Sequence, residues 1–185
     1  MTPGIPDSIE TERLLLRRWR EEDLDPFRRM NADPVVMEHF PAPLTAEQSD
    51  VFVEKIARHF EEHGYGLWAV EVKGGAPFIG YVGLWTQSFE APFTPCVEVG
   101  WRLAADHWGR GYATEGGRAS IDLGFHHAAL DEIVSMTAVE NARSIRVMQR
   151  LGMTHDPADD FDHPRIEPGH RLRRHVLYRI RKPKG

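Results

Sequence analysis

Cysteine is nearly missing from this 185-residue chain. Cys96 stands alone, so no intrachain disulfide can form, and a reducing compartment is the expectation. No apolar run approaches the ~18 residues of a membrane span, and no signal-like stretch follows Met1. Those two absences predict a cytoplasmic protein without a membrane partner. A surplus of positive charge is lacking as well: 23 Lys and Arg face 28 Asp and Glu, for a net charge of −5. With an isoelectric point near 6.1, nucleic acid is not an expected partner. Histidine is plentiful, but His126, His127, His155, His163, His170 and His175 match no zinc-ligand spacing and the thiols are missing, so no metal is expected. Repeats, low-complexity tracts and linkers are absent too. With 41% apolar residues, residues 1–185 read as one domain with a substantial core.

What is present is organised around one stretch. Val97, Val99, Trp101 and Leu103 alternate with Glu98, Gly100 and Arg102, the period of a strand whose two faces differ. The turn His107-Trp108-Gly109-Arg110-Gly111 follows. Beyond it Ala113, Gly117, Ser120, Ile121, Gly124 and Phe125 recur with helical spacing. The first N–H groups of a helix lack internal partners and sit at the positive end of its dipole. Gly109 and Gly111 leave that end unobstructed and Arg110 adds a cation, which describes a seat for a pyrophosphate. A tight strand-to-helix connection without a ligand would have the same sequence. Two phosphate motifs are excluded: no Gly-Lys-Ser/Thr follows the turn, and position 114 is Thr where a dinucleotide fingerprint needs its third glycine.

The remaining elements alternate between strand and helix patterns. Glu12 to Trp19 reads as a strand and Glu21 to Asn31 as a short helix, with Pro26 tolerable in its first turn. Thr45-Ala46-Glu47-Gln48 is a capping box, Phe52, Ile56 and Phe60 form one helical stripe, and Gly64 stops the run. Tyr65 to Val72 and Pro77 to Trp85 form a hairpin over Gly74-Gly75. Gly116, Gly117 and Ser120 predict close approach of the following helix, 112–127, to a sheet. Ile133 to Val139 is a further strand, and 142–151 a helix with Ile145, Met148 and Leu151 buried. Asp156 to Gly169 reads as irregular, with Asp156, Asp159, Asp160 and Asp162 as solvated charge. Arg173 to Arg181 reads as a strand on a solvated sheet edge, where charge is common.

The loop Trp108-Gly109-Arg110-Gly111-Tyr112-Ala113 resembles the acyl-CoA pyrophosphate loop of the GNAT N-acetyltransferases, and most closely that of the branch containing the ribosomal-protein N-terminal acetyltransferases. Gly111 and Ala113 fit the family pattern, whereas Trp108 stands where a leading Gln or Arg is usual. A second block, Asn141-Ala142-Arg143-Ser144 through Leu151-Gly152-Met153, is similar to the family's Asn-x-x-Ser helix. Weaker resemblance runs from about Glu10 to Ile180. It implies an α/β fold: a single domain with a mixed, mostly antiparallel sheet of about seven strands, flanked by about four helices and splayed at its central strands.

The resemblance also implies acetyl-CoA as co-substrate and an amine as acceptor, in a monomer or a homodimer. Gly109, Arg110, Gly111, Tyr112, Ala113 and Thr114 would cradle the pyrophosphate. Backbone groups from Val99 through Trp101 to Leu103 would hold the pantetheine like an extra strand and supply an oxyanion donor, and Asn141 would contact the cofactor or merely cap its helix. Acetyl transfer needs a neutral amine, yet amines have pKa values of ~8 to ~10.4, so a base helps. Glu98 is the candidate base, acting through water; the plain alternative is a carboxylate paired with Arg102. The family's usual acid position is Met148, which cannot donate, whereas Ser144 matches the serine of the branch. Its alternative is a first-turn Ser that satisfies helix N–H groups. Cys96 reads as a buried free thiol. A non-catalytic acyl-CoA-binding or sensing domain is the rival reading, although it would need neither Glu98 nor Ser144. The acceptor is open between a protein N-terminus and a small-molecule amine; the resemblance puts the acidic stretch beside it, where Asp159, Asp160 and Asp162 would attract a basic one.

Overall fold

The computed structural model describes residues 6–183, and the ends of the expected domain, 1–5 and 184–185, lie outside them. Among the described residues, nine strands and four α-helices follow in the order β1 (Ser8–Glu10), β2 (Leu14–Arg17), α1 (Leu24–Ala32), α2 (Ala46–His63), β3 (Leu67–Val72), β4 (Gly80–Gln87), β5 (Cys96–Leu103), α3 (Tyr112–His126), β6 (Glu132–Ala138), α4 (Ala142–Arg150), β7 (Thr154–His155), β8 (Phe161–Asp162) and β9 (Arg174–Arg181). They form one α/β sheet in the order β1-β2-β3-β4-β5-β6-β9-β7, with β8 also on β9. Every pairing is antiparallel except β5 with β6.

Local chemistry explains most boundaries. Thr45 caps α2 with its hydroxyl while Gln48 answers the Thr45 N–H, and Gly64 ends the helix in the left-handed region at φ 77°. α3 lies very close to the sheet because its facing positions are small. A Cβ at Gly116 would meet Val82 at 3.3 Å, and one at Gly124 would meet Ile133 at 2.7 Å. Ser120, fully buried in the same stripe, satisfies its hydroxyl on the Gly116 carbonyl at 2.9 Å. On the opposite face Phe27 of α1 and Phe52 of α2 pack edge-on against Tyr81 of β4.

Four expectations need correction. The sheet gains β1, a short strand antiparallel to β2, the two-residue β7 just before what read as irregular chain, and the two-residue β8 inside it. The segment from Glu21 divides into a 3₁₀ turn, Glu21–Asp23, and α1, because the Asp23 carboxylate accepts from the Arg20 N–H and is held by Arg17. β9 is no free edge: β6 lies on one side, while β7 and β8 cover the other in succession. Its arginines are paired, Arg179 with Asp159 and Glu132 at 2.8 and 2.7 Å, Arg181 with Glu132 at 2.8 Å. The acidic stretch is engaged too. Asp159 holds Arg179, Asp160 lies 2.7 Å from His155, and Asp162 reaches Arg173 at 3.3 Å. Asp159 thus pairs with β9 and Asp160 with β7, while Asp162 lies against Arg173 and Arg174.

Candidate active site

The sheet opens at one point. β4 and β5 are in register from Gln87 and Cys96 to Gly80 and Leu103, whereas β5 and β6 pair only at Glu98 and Val134. Beyond Glu98 the two parallel strands part, so the β6-facing backbone groups of Val99 to Leu103, Trp101 included, have no strand partner. Such an edge can accept an extended ligand as a further strand.

Glu98 stands at the vertex of this opening. Its carboxylate accepts from Gln87 Nε2 at 2.6 Å and from the backbone N–H of Met136. Burial dominates over both bonds and pushes its pKa up to about 7. The pairing with Arg102 weighed from the sequence is not made; that guanidinium donates instead to Asn31 Oδ1 at 2.7 Å and stacks 4.0 Å from the Phe40 ring. Cys96 lies near Glu98, and burial first, then that carboxylate, pushes its thiol up to about 12. It stays protonated at neutral pH and is a poor nucleophile.

Ser144 approaches from the other side. Odd positions of β5 face α3 and α4, and the Trp101 indole donates to Ser144 Oγ at 3.2 Å. Asn141 caps α4 by accepting from the Ser144 N–H at 3.1 Å, and its amide donates to Thr137 Oγ1 at 2.9 Å. The capping reading of Asn141 therefore holds.

The glycine turn has the conformation its sequence requires. Gly109 and Gly111 have φ of 73° and 82°, a region that disfavours side chains, and a Cβ at Gly109 would meet nothing within 4 Å. Gly111 caps α3 without any side-chain bond, and the N–H groups of Tyr112, Ala113 and Thr114 take no hydrogen-bond partner among the described residues. A pyrophosphate fits such a cradle. The Arg110 side chain is exposed, while its carbonyl accepts from Arg13 Nη1 at 2.9 Å. Arg13 also binds Glu115 at 2.6 Å and covers the Tyr112 ring. Trp108, in the family's Gln/Arg position, donates its indole N–H to the Leu103 carbonyl at 2.8 Å and thereby ties the turn to the end of β5. Leu103 itself is buried, with its side chain in the core.

Gln87, Met136, Arg13 and Asn31 escaped the sequence reading. Gln87 is a diagonal neighbour of Glu98 across β4 and β5, a relation that depends on hairpin register. Arg13 and Glu115 are far apart in the chain and carry no local signature. His163 and His175 belong to an aromatic cluster with Phe89 and Phe161, and burial lowers the pKa of both, that of His163 to about 4. Among the described residues no three His, Cys, Asp or Glu side chains are grouped to hold a metal, and no helix is long and apolar enough to cross a membrane.

Known proteins place this geometry in a family. YkkB of Bacillus subtilis, itself uncharacterized, is 31% identical over 146 residues, covering 78% of this chain and 84% of that protein. The FsC-acetyl coenzyme A-N(2)-transacetylase of Aspergillus fumigatus is 28% identical over 200 residues, covering 99% and 83%. The crystal structure of a GNAT-family acetyltransferase from Bacillus anthracis superimposes with a TM-score of 0.76 at 26% identity, covering 94% of this chain and 98% of that one. Residues 13–154 match the sequence model of the Acetyltransferase (GNAT) domain. The chain therefore belongs to the GNAT family of N-acetyltransferases, enzymes that act with acetyl-CoA.

Proposed function

We propose that residues 1–185 act as one catalytic domain that moves the acetyl group of acetyl-CoA directly to a primary amine, on a protein N-terminus or a small molecule, in the cytoplasm. The observation that carries this reading is the position of Glu98: a carboxylate with a pKa near 7, at the vertex where β5 and β6 part. A base poised near neutrality suits removal of a proton from an amine. The amine nitrogen attacks the thioester carbon while its proton passes, through water, to Glu98. Charge developing on the carbonyl oxygen is met by an N–H on the unpaired edge of β5. As the C–S bond breaks, the departing sulfur takes the Ser144 proton; water then reprotonates Ser144, and Glu98 returns its proton to solvent. Glu98 and Trp101 leave β5 on opposite faces, which supports attack from one side and departure on the other.

The pyrophosphate would lie on the N–H groups of 112–114, reached across Gly109, Arg110 and Gly111, and the pantetheine along Trp101 to Leu103 with Asn141 alongside. The Aspergillus fumigatus relative is named for acetyl transfer from coenzyme A to a nitrogen, which supports transfer to an amine here. A panel of amines scored by thiol release from acetyl-CoA tests the reading. Release above background with an amine, lost in Glu98→Gln, is expected; absence of release with protein N-termini, amino sugars, polyamines and amino acids alike would refute it.

A further inference from the structure

Two of the described arginines are buried, and they are held in opposite ways. Arg17, 5% exposed, grips Asp23 with both Nη atoms at 2.8 and 2.9 Å and Glu71 with Nε at 3.0 Å. Arg102, 8% exposed, has no acidic group within ion-pairing distance among the described residues. Its one hydrogen bond runs from Nη1 to Asn31 Oδ1, and its Nε is buried without a partner. A guanidinium cannot escape this by losing its proton. Phe40 covers one of its faces, but a ring is no substitute for a counter-ion.

The neutral partner is fixed in place. Ser49 Oγ donates to the Thr45 carbonyl at 3.0 Å and so accepts from Asn31 Nδ2 at 3.1 Å, which leaves Asn31 Oδ1 toward the guanidinium. The structure thus positions a buried cation and supplies it with no anion. Arg102 shares its face of β5 with Glu98, four residues away, so their Cα atoms are about 13 Å apart. Between them lies Gly100, where an added Cβ would meet nothing within 4 Å. The strand surface joining the two charged groups is therefore open.

Resting on the transfer reading above, we infer that Arg102 receives a carboxylate of the acceptor, which is an amine bearing that carboxylate several bonds away, laid over Gly100 with its nitrogen toward Glu98. Nε is buried without a partner and Nη2 makes no hydrogen bond, so a carboxylate taken by both oxygens along the Nε–Nη2 edge would satisfy the two donors together. An α-amino acid holds its own two groups too close together for this span; an ω-amino acid or a short peptide can reach across it.

The test is a ruler of straight-chain ω-amino acids from β-alanine to 6-aminohexanoate, each paired with its carboxamide. Each is titrated calorimetrically into the enzyme saturated with CoA, and thiol release from acetyl-CoA is measured separately. At one or two chain lengths the acid should bind at least tenfold more tightly than the amide. Arg102→Gln should bring that ratio within twofold while affinity for acetyl-CoA is kept. Arg102→Lys retains the charge and should retain part of the preference, which serves if the glutamine variant does not fold. Acids and amides binding equally at every length, or a preference that survives Arg102→Gln, would overturn the inference. Acid-selective binding without thiol release supports the Arg102 seat and counts against the catalytic reading. Equal thiol release from acids and amides does the reverse.

Discussion

The indole N–H of Trp101 donates to the hydroxyl oxygen of Ser144 across 3.2 Å, joining the open strand to the first turn of α4. With one lone pair taken and the Ser144 N–H fixed on Asn141, the hydroxyl is left to direct its own proton elsewhere. Ser144→Ala should lower kcat about 10²-fold with little change in acetyl-CoA affinity, because proton delivery matters only once the C–S bond breaks. Trp101→Phe keeps the ring and removes the donor, so it should cost less. Steady-state kinetics on the double variant should show it no slower than Ser144→Ala alone, the non-additivity of a pair acting as one unit.

The turn before α3 makes a sharper demand. Gly111→Asp forces a side chain and a negative charge onto a residue at φ 82°, beside the N–H groups that would hold the pyrophosphate. Calorimetry should find no acetyl-CoA binding to the folded variant. Arg13→Ala should weaken binding only several-fold, since it loosens the Arg110 carbonyl and Glu115 without touching the N–H cradle.

The acidic stretch gives a prediction about stability. Asp159, Asp160 and Asp162 hold Arg179, His155 and Arg173, so neutralising them should leave KM for a basic acceptor unchanged. The partners are partly exposed, and each lost pair should cost no more than about 1 kcal/mol. A thermal melt of the triple Asn variant should show a modest fall, and its KM for a cationic amine the same salt dependence as the wild type.

What the sequence revealed follows the range of the forces involved. The capping box at Thr45, the stop at Gly64 and the glycines at 109 and 111 act within a few residues, and each appears where expected. The alternation of Val97 to Leu103 likewise separated the face of Glu98 from that of Trp101. Partners were harder. Glu98 was weighed against Arg102 on its own strand, but its bonds come from Gln87 and Met136 on the neighbouring strands. The charges of β9 suggested an edge because their counter-ions, Asp159 and Glu132, lie elsewhere in the chain. Only register and topology bring such groups together.

Glu98 should also be visible in stability. Its folded pKa, about 7, lies above the ordinary 4.5, so the folded state holds this proton more tightly than the unfolded chain. Its contribution therefore favours folding below about 4.5 and declines as pH rises through about 7. Relative to wild type, Glu98→Gln should melt at a similar temperature at pH 5 and at a higher one at pH 8. Scanning calorimetry at the two pH values reads this without any substrate.

The central claim is that Glu98 is the base, and the pH dependence of kcat/KM tests it most directly. With a true acceptor, wild-type kcat/KM should rise with an inflection at about 7, set by the free enzyme's Glu98. Glu98→Gln should lose roughly 10²–10⁴-fold and that inflection with it, while binding acetyl-CoA normally and recovering partly at high pH, where more acceptor is already neutral. A Glu98→Gln enzyme within about twofold of wild type, with the inflection intact, would contradict the account and leave positioning alone to carry catalysis.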